Sequence, residues 1–271
     1  MTTGEIYKTV RSFTLTNERI APIWTDLTVE VPLEIVINGK SHVLIMFTPG
    51  MTRELVVGFL FTEGLINRAK EIESLVISAH QKKDGDMIIE ADVRIPQHFL
   101  PVTTSSGKRV SYSSCGICGT ENYHEMKQRV HRVKSRHRFS MHVLLALSRD
   151  LKRFQPLYKR TGGSHAAFLF DKDGNDIQNA EDMGRHNAVD KVIGAVMRQG
   201  IRTHDKMLFS SGRASLEMIL KTARAGFPLF VAMSRPTSRA VEAAKYYNIT
   251  LVDLAKNTNR VHSHVRRING F

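Results

Sequence analysis

The only two cysteines of the chain, Cys115 and Cys118, are separated by two residues. Two thiols at this spacing are close enough to bind one metal ion, to form a disulfide, or to pass a sulfur atom from one to the other. Gly116 and Gly119 flank them with residues that lack a Cβ atom, which leaves the thiols open to a partner. The spacing predicts an accessible thiol site and leaves these three chemistries open.

The composition predicts a folded protein of one large domain or two ordinary ones, since the chain has 271 residues and is 42% hydrophobic. No run of about 18 apolar residues is present, and residues 1–19 lack the apolar block of a signal peptide. We therefore expect a cytoplasmic protein with no membrane span. In a reducing compartment a lone CxxC is more often catalytic or metal-binding than structural.

The formal net charge of +13 indicates a negatively charged partner. Lys127 to Arg138 (KQRVHRVKSRHR) contains six Lys or Arg, two His and no acidic residue. This run could equally be an ordinary solvated surface. A nucleic acid and a pyrophosphate-bearing cofactor are the two obvious polyanions, and the run lacks the aromatic residues that a single-strand stacking surface needs.

Residues 1–100 read as a small N-terminal sheet-and-helix domain. Glu34 to Met46 predicts a hairpin around Asn38-Gly39, and Thr52 can cap a helix from Arg53 to about Glu63 with a core-facing apolar side. Two further strands are predicted at 73–80 and 86–95. Residues 101–140 read as a mobile connection that carries the cysteines and the basic run.

Residues 141–271 alternate between strand and helix patterns, which predicts an α/β layer with several parallel strands. The predicted strands are 165–170, 177–180, 207–210, 229–233 and 250–254, and the predicted helices are 143–154, 187–198, 214–225 and 237–247. Ligands of such sheets bind at the carboxyl ends of the strands.

Three of those strand ends lead into polar, basic turns: Ser211 to Ser215, Ser234 to Ser238 and Ala255 to Arg260. A hydroxyl in such a turn can cap the next helix or bind an anion, and each turn alone leaves both open. Together the three turns favour a phosphorylated ligand. His165 and His186, in neighbouring polar segments, could act as general acid or base, but a structural hydrogen-bonding role is favoured.

Five segments in order, GFLFTEGLI, SSCGICG, TGGSHAA, EDMGRHNAVDK and SGRASLEMILK, resemble the sulfur carrier protein FdhD family of formate dehydrogenase accessory sulfurtransferases. The resemblance extends from about Leu33 to Asn259. It implies an α/β (α+β overall) fold in which a small N-terminal domain precedes a domain similar to cytidine deaminase. Deamination is not expected, because His186-Asn187-Ala188 lacks the catalytic glutamate and no cysteine follows Cys118.

The resemblance implies that a cysteine desulfurase donates sulfur to Cys115 as a persulfide and that Cys118 assists transfer or resolves it. The sulfur would pass to molybdenum (or tungsten) in the bis(molybdopterin guanine dinucleotide) cofactor, bound here as a substrate, before insertion into formate dehydrogenase. It also implies a homodimer with no tightly held metal of its own. The implied cofactor-binding residues are Leu254, Ala255, Lys256, Asn257, Thr258 and Asn259.

That turn departs from the family pattern, which often has glycine and arginine there, whereas Arg260 follows one place later in this chain. Contacts through the backbone are therefore expected to matter more than these side chains.

Three alternatives stay open. A thiol-disulfide oxidoreductase would place the CxxC at a strand-to-helix junction, which Thr103 to Ser114 does not resemble. A zinc-binding module would need His124, His131 or a second subunit to complete four ligands. A basic nucleic-acid binder is the third and is not expected.

Overall fold

The computed structural model describes residues 4–16, 19–81, 87–96, 130–255 and 259–270, together with the backbone of 109–111, and everything stated below refers to these ranges. The thiol pair, the implied ligands Lys256, Asn257 and Thr258, and the turn predicted at 81–85, apart from Gln81, lie outside them. The expectation that the CxxC loop is mobile therefore stays a prediction.

The N-terminal half forms a two-stranded ribbon followed by a five-stranded sheet with one helix. The sheet has the strand order β5-β6-β3-β4-β7, and the ribbon pairs β1 with β2. The elements are β1 (Tyr7–Thr16), β2 (Arg19–Thr28), β3 (Val31–Ile37), β4 (Lys40–Phe47), α1 (Thr52–Thr62), β5 (Ser74–Gln81), β6 (Met87–Arg94) and β7 (Arg109–Ser111).

The hairpin of β3 and β4 confirms the predicted turn. Asn38 and Gly39 both have positive φ, 49° and 78°, as a type I′ turn requires. Along β3 every second residue, beginning with Val31, is buried in the core. The alternation of apolar residues thus sets both the strand and its buried face.

Helix α1 begins one residue earlier than predicted, and the predicted Thr52 cap is wrong. Thr52 is the first helical residue, and Met51 precedes it in a left-handed conformation with φ 53°, without a side-chain cap. The amide of Leu55 bonds to the Met51 carbonyl at 2.8 Å, so the backbone closes this helix end. The apolar side of α1 is buried, as predicted.

The C-terminal half is built around a six-stranded sheet with the order β10-β9-β11-β12-β13-β14. Its helices are α2 (Met141–Asp150), α3 (Pro156–Thr161), α4 (Arg185–Gln199), α5 (Leu216–Arg224) and α6 (Ser238–Tyr247). Its strands, with the short pair β8 and β15, are β8 (Phe139–Ser140), β9 (His165–Phe170), β10 (Asp176–Asp182), β11 (Met207–Arg213), β12 (Leu229–Ser234), β13 (Thr250–Asp253), β14 (Arg260–Val261) and β15 (Ile268–Asn269).

The predicted α/β class is confirmed, and β11, β12 and β13 run parallel. Strands β9, β10 and β14 pair antiparallel. One face of the sheet packs in a continuous apolar cluster that also contains α1 and the N-terminal sheet. The other face packs with α2. Whether the halves fold as separate domains with boundaries near residues 100 and 140 stays a prediction.

The ribbon of β1 and β2 was not predicted. Its apolar side chains do not contribute to either core cluster, and Phe13, Leu15, Ile20 and Trp24 are all more than half exposed. Among the described residues, the ribbon contacts the rest of the chain at its base, where Arg160 of α3 forms an ion pair with Asp26. The ribbon is therefore formed by strand pairing without one-sided burial. Sequence periodicity detects one-sided burial, so it gave no signal for these two strands.

Helices α1 and α4 cross in close contact through two glycines, Gly58 and Gly194. A Cβ atom on Gly58 would overlap the backbone carbonyl of Asp190, and one on Gly194 would overlap that of Glu54. The glycines thus let the two helix backbones touch and join the halves of the molecule.

We expect Gly58→Ala and Gly194→Ala each to lower the free energy of unfolding by about 3 kcal/mol, because the helices must separate to admit the methyl group. The helix-propensity gain of about 1 kcal/mol from replacing glycine is too small to compensate. Urea unfolding measures the effect, and Gly4→Ala is the control because nothing lies within 4 Å of its added Cβ atom. Unchanged stability in both helix variants would contradict the close crossing.

Candidate functional site

The candidate site is the carboxyl edge of the six-stranded sheet, which we define as the ends of β10, β11, β12 and β13 with the starts of β9 and β14. Parallel pairing aligns the ends of β11 to β13 at one edge. Antiparallel pairing brings His165, at the start of β9, opposite Asp182 at the end of β10. The described residues of the three predicted polar segments therefore lie along one edge, although Ser211 to Arg213 belong to β11 itself and not to a turn.

At the centre of this edge, Ser211 joins β11 to β9. Its hydroxyl accepts a hydrogen bond from the Ala166 amide at 2.8 Å and lies 3.3 Å from His165 Nδ1. Burial, followed by the positive charge of Arg185, lowers the pKa of His165. His165 is therefore neutral at pH 7 and can still donate and accept hydrogen bonds.

Gly212 allows Arg185 to lie against the end of β11. A Cβ atom at Gly212 would lie 2.9 Å from Arg185 Cδ. Arg185 is the first residue of α4, so its guanidinium stands at a helix N-terminus beside the strand end. Arg213, Arg235 and Arg260 are exposed along the same edge. The edge is therefore strongly electropositive.

Two hydroxyls in these turns act as helix caps. Ser215 accepts a hydrogen bond from the Met218 amide at the start of α5, and Thr237 accepts one from the Ala240 amide at the start of α6. Of the two interpretations left open by the sequence, capping accounts for these two residues.

Asp253, a fully buried residue, stabilises the start of the segment that the family resemblance implies to bind cofactor. Its Oδ1 accepts a hydrogen bond from the Ala255 amide at 2.8 Å, and its Oδ2 lies 3.7 Å from His262 Nε2. Leu254 and Ala255 are buried, so their side chains face the core. Asn259 is exposed and has a positive φ of 41°. Asp253 was not singled out from the sequence, since a lone acidic residue at a strand end gives no distinctive signal.

The segment EDMGRHNAVDK holds the edge to the N-terminal half. Lys191 forms an ion pair with Asp182 at 2.7 Å and donates to the Thr48 carbonyl at 2.8 Å. Asp182 in turn accepts bonds from the amides of Thr48 and Gly184 and from Asn187. These buried groups are fully engaged with one another, which indicates a structural role.

A second buried network surrounds Lys221. Its ammonium lies 2.8 Å from Asp190 Oδ2, 3.0 Å from Thr62 Oγ1 and 3.7 Å from oxygens of both Glu63 and Glu217. Burial opposes the charge of Lys221, but the three carboxylates outweigh it and raise the Lys221 pKa. Sequence reasoning missed this network, although Glu217 and Lys221 stand four residues apart on the apolar side of a helix.

His186 lies against this network, 3.4 Å from both Ser215 Oγ and Glu217 Oε2. Burial, then the charges of Lys221 and Arg185, lowers the pKa of His186 to about 3. A histidine with so low a pKa is a poor general base near neutral pH. The geometry therefore supports the structural role that the sequence favoured.

Within the described ranges, no group of three or more His, Cys, Asp or Glu side chains is arranged to hold a metal ion. His124 lies outside those ranges, and His131 lies inside them as an exposed residue. No helix in the described part of the chain is long and apolar enough to cross a bilayer.

The FdhD/NarQ family model matches residues 28–269. The chain therefore belongs to the FdhD/NarQ family. It is 34% identical over 245 residues to a sulfur carrier protein FdhD of Bordetella bronchiseptica, covering 88% of this chain and 86% of that one. It is 36% identical over 256 residues to a sulfur carrier protein FdhD of Thermoplasma acidophilum, covering 89% and 86% of the two chains.

Among solved structures, the fold resembles that of a Desulfotalea psychrophila protein assigned as a formate dehydrogenase accessory protein. The TM-score is 0.76 at 23% identity, over 97% of this chain and 100% of that one. This likeness confirms the fold of the whole chain.

Glu63 gives the Lys221 network a pH dependence. Burial raises the pKa of Glu63 to about 6 from an ordinary 4.5, although Lys221 opposes the shift. The folded state therefore binds the proton of the Glu63 carboxyl group more tightly than the unfolded state does. The free energy of unfolding consequently falls as pH rises from 4.5 to 6. We expect Glu63→Gln to remove this loss and to be more stable than wild type above pH 6 by about 1–2 kcal/mol, with the gain vanishing below pH 4.5.

Urea unfolding at a series of pH values checks this expectation. Glu30→Gln, at an exposed carboxylate, is the matched control. A stability difference between Glu63→Gln and wild type that is constant from pH 4 to pH 8 would contradict it.

Proposed function

We propose that this chain is a sulfur carrier for the maturation of formate dehydrogenase. It receives sulfur from a cysteine desulfurase on Cys115 and delivers it to molybdenum in the bis(molybdopterin guanine dinucleotide) cofactor. The observation that carries the proposal is membership of the FdhD/NarQ family in a chain whose two cysteines form one CxxC pair. The FdhD relatives from Bordetella bronchiseptica and Thermoplasma acidophilum are themselves called sulfur carrier proteins.

In the loading step, the Cys115 thiolate attacks the terminal sulfur of a persulfide on the desulfurase. The sulfur–sulfur bond breaks, the desulfurase cysteine leaves as a thiolate, and Cys115 becomes the persulfide. A low thiol pKa favours this attack, and a basic neighbourhood lowers a thiol pKa. Lys108 and Arg109 precede the pair in sequence, and the run from Lys127 follows it.

In the delivery step, the Cys118 thiolate attacks the inner sulfur of the Cys115 persulfide. A disulfide forms between the two cysteines, and the terminal sulfur leaves as hydrosulfide, which becomes a ligand of the molybdenum. An external dithiol then reduces the disulfide and restores both thiols. The CxxC spacing suits this step because the second sulfur is within reach of the first.

The carboxyl edge of the sheet supports cofactor binding. The cofactor carries pyrophosphates and guanines, so it needs cations and backbone groups at a strand end. The exposed Arg213, Arg235 and Arg260 can meet the phosphates, and neutral His165 can hydrogen bond to a base or a ribose. Asp253 fixes the Ala255 amide, and the side chains of Leu254 and Ala255 are buried, so these two residues can offer only backbone groups to a ligand.

The first experiment incubates the protein with a cysteine desulfurase and cysteine, then maps persulfides by mass spectrometry. We expect a gain of one sulfur atom on the Cys115 peptide of wild type, none in Cys115→Ala, and a persulfide that persists in Cys118→Ala because its resolving thiol is gone. A reaction without cysteine is the control. No gain in any variant, or turnover of a disulfide substrate instead, would favour the oxidoreductase alternative.

The second experiment measures GDP binding by calorimetry. GDP serves as a probe for one of the two guanine nucleotides of the cofactor. We expect Arg213→Ala and Arg260→Ala each to remove about 1 kcal/mol, which is roughly a fivefold higher Kd. Arg94→Ala, at an exposed site on the N-terminal sheet, is the control. Equal loss in all three variants would place the nucleotide elsewhere or make its binding non-specific.

A further inference from the structure

The segment from Val130 to Arg138, which we call the basic strap, is attached to the C-terminal half by hydrogen bonds of Val133 and Ser135. The Val133 amide donates to the Tyr247 carbonyl at 2.9 Å, and the Val133 carbonyl accepts from Asn248 Nδ2 at 2.7 Å. The Ser135 hydroxyl donates to the His204 carbonyl at 2.6 Å. Hydrogen bonds to the end of α6 and to the segment before β11 therefore hold the strap in place.

From Arg132 to Phe139, exposed side chains alternate with buried or half-buried ones. Val133 and, just beyond the strap, Phe139 are buried at 5% and 0% exposure. The exposed side chains are Arg132, Lys134, Arg136 and Arg138. Every second residue of an extended chain lies about 6.6–6.8 Å further along, so the four cations form a row of about 20 Å.

The cations of this row are available to a partner. None of them takes part in an ion pair among the residues that the structure describes. Two acidic residues close in sequence to the residues that the strap contacts pair with other cations, Asp205 with Lys206 and Glu242 with Arg239. Three further exposed cations, close in sequence to residues that contact or flank the strap, are Arg202, Lys245 and Arg266.

The strap lies on the opposite edge of the sheet from the cofactor turn. It contacts His204, three residues before β11, and Asn248, two residues before β13, so it crosses the amino ends of these strands. The Leu254–Asn259 turn follows the carboxyl end of β13, and the four residues of that strand span about 13 Å. A cofactor bound at the carboxyl edge therefore leaves the strap cations unoccupied.

The row suits an acidic protein surface better than a nucleic acid. Acidic side chains on one face of an extended segment repeat at the same 6.6–6.8 Å, approximately, because both chains are extended. The strap has no Phe, Tyr or Trp on which bases could stack. An ordered row of cations also steers an oppositely charged protein toward it before contact.

The strap is continuous with the segment that carries the thiols. Val130 lies twelve positions after Cys118, and the eleven residues between them can span at most about 40 Å. A protein held on the strap is thus within reach of Cys115. We propose that the basic strap is the docking surface for an acidic face of the protein that loads sulfur onto Cys115, an inference that rests on the proposed sulfur-carrier function.

The test compares two quadruple variants with the same change in net charge. One reverses the strap cations (Arg132→Glu, Lys134→Glu, Arg136→Glu, Arg138→Glu). The control reverses four exposed cations of the N-terminal half (Lys40→Glu, Arg68→Glu, Lys70→Glu, Arg94→Glu). Binding of the organism's own cysteine desulfurase is measured at several salt concentrations, and the persulfide loading rate is measured beside it.

We expect the strap variant to bind the desulfurase at least tenfold more weakly than wild type at low salt and to load sulfur correspondingly slowly. The difference should shrink as salt is raised, because salt screens exposed charges. The control variant should bind and load much more like wild type. An inorganic polysulfide, which needs no docking, should load all three proteins at similar rates.

Equal desulfurase binding by both quadruple variants would overturn the proposal. It would also be overturned if polysulfide loading fell as far as desulfurase loading, since the strap would then act on the thiols themselves. Loss of single-stranded nucleic acid binding with unchanged desulfurase binding would assign the strap to nucleic acid instead. If wild type bound the desulfurase through the strap but carried no persulfide, docking would stand and the sulfur-carrier function would fail.

Discussion

Two adjacent residues of α4 with opposite charges, Asp190 and Lys191, hold the molecule together. Both are buried, with exposures of 2% and 1%. Asp190 bonds to Thr62 and Lys221, and Lys191 bonds to Asp182 and to the Thr48 carbonyl. Each therefore joins the N-terminal half to a different part of the C-terminal half. Removing one partner would leave a buried charge uncompensated, which costs about 3–5 kcal/mol.

These buried ion pairs and hydrogen bonds between the two halves explain why a segment as polar as EDMGRHNAVDK lies in the interior. Its side chains fix the start of α4 against the turn after β4, and Arg185 thereby stands beside the end of β11. The electropositive carboxyl edge depends on that placement. The close contact of α1 with α4 serves the same purpose, since any separation of the two helices would lengthen these hydrogen bonds.

The sequence predicted most of the regular elements, because both halves contain one-sided apolar patterns and strong turn signals. Asn38-Gly39 specified its hairpin, and the strands of the α/β half were placed within a few residues of their observed bounds. Parallel pairing then brought the three polar turns to one edge, as expected from the alternation alone.

The misses have physical causes. The Lys221 network joins Thr62, Asp190 and Glu217, which are distant in sequence, so the local spacing of Glu217 and Lys221 could reveal only one of its pairs. Thr52 has the residue type of a cap, but the left-handed Met51 closes that helix end through the backbone. The sequence left two interpretations of the basic run open, a solvated surface and a surface that binds a ligand. The burial of Val133 and the hydrogen bonds of the strap indicate that its cations form one ordered row.

The exposed ribbon of β1 and β2 also determines what an optical measurement on this protein reports. The chain has a single tryptophan, Trp24, and it lies on the ribbon with 70% of its surface exposed. Its indole is already exposed to water in the folded state, so its emission is expected to change little when the core unfolds. The same indole becomes a selective probe of the ribbon, and a shift of its emission to shorter wavelength reports that another surface has covered this arm.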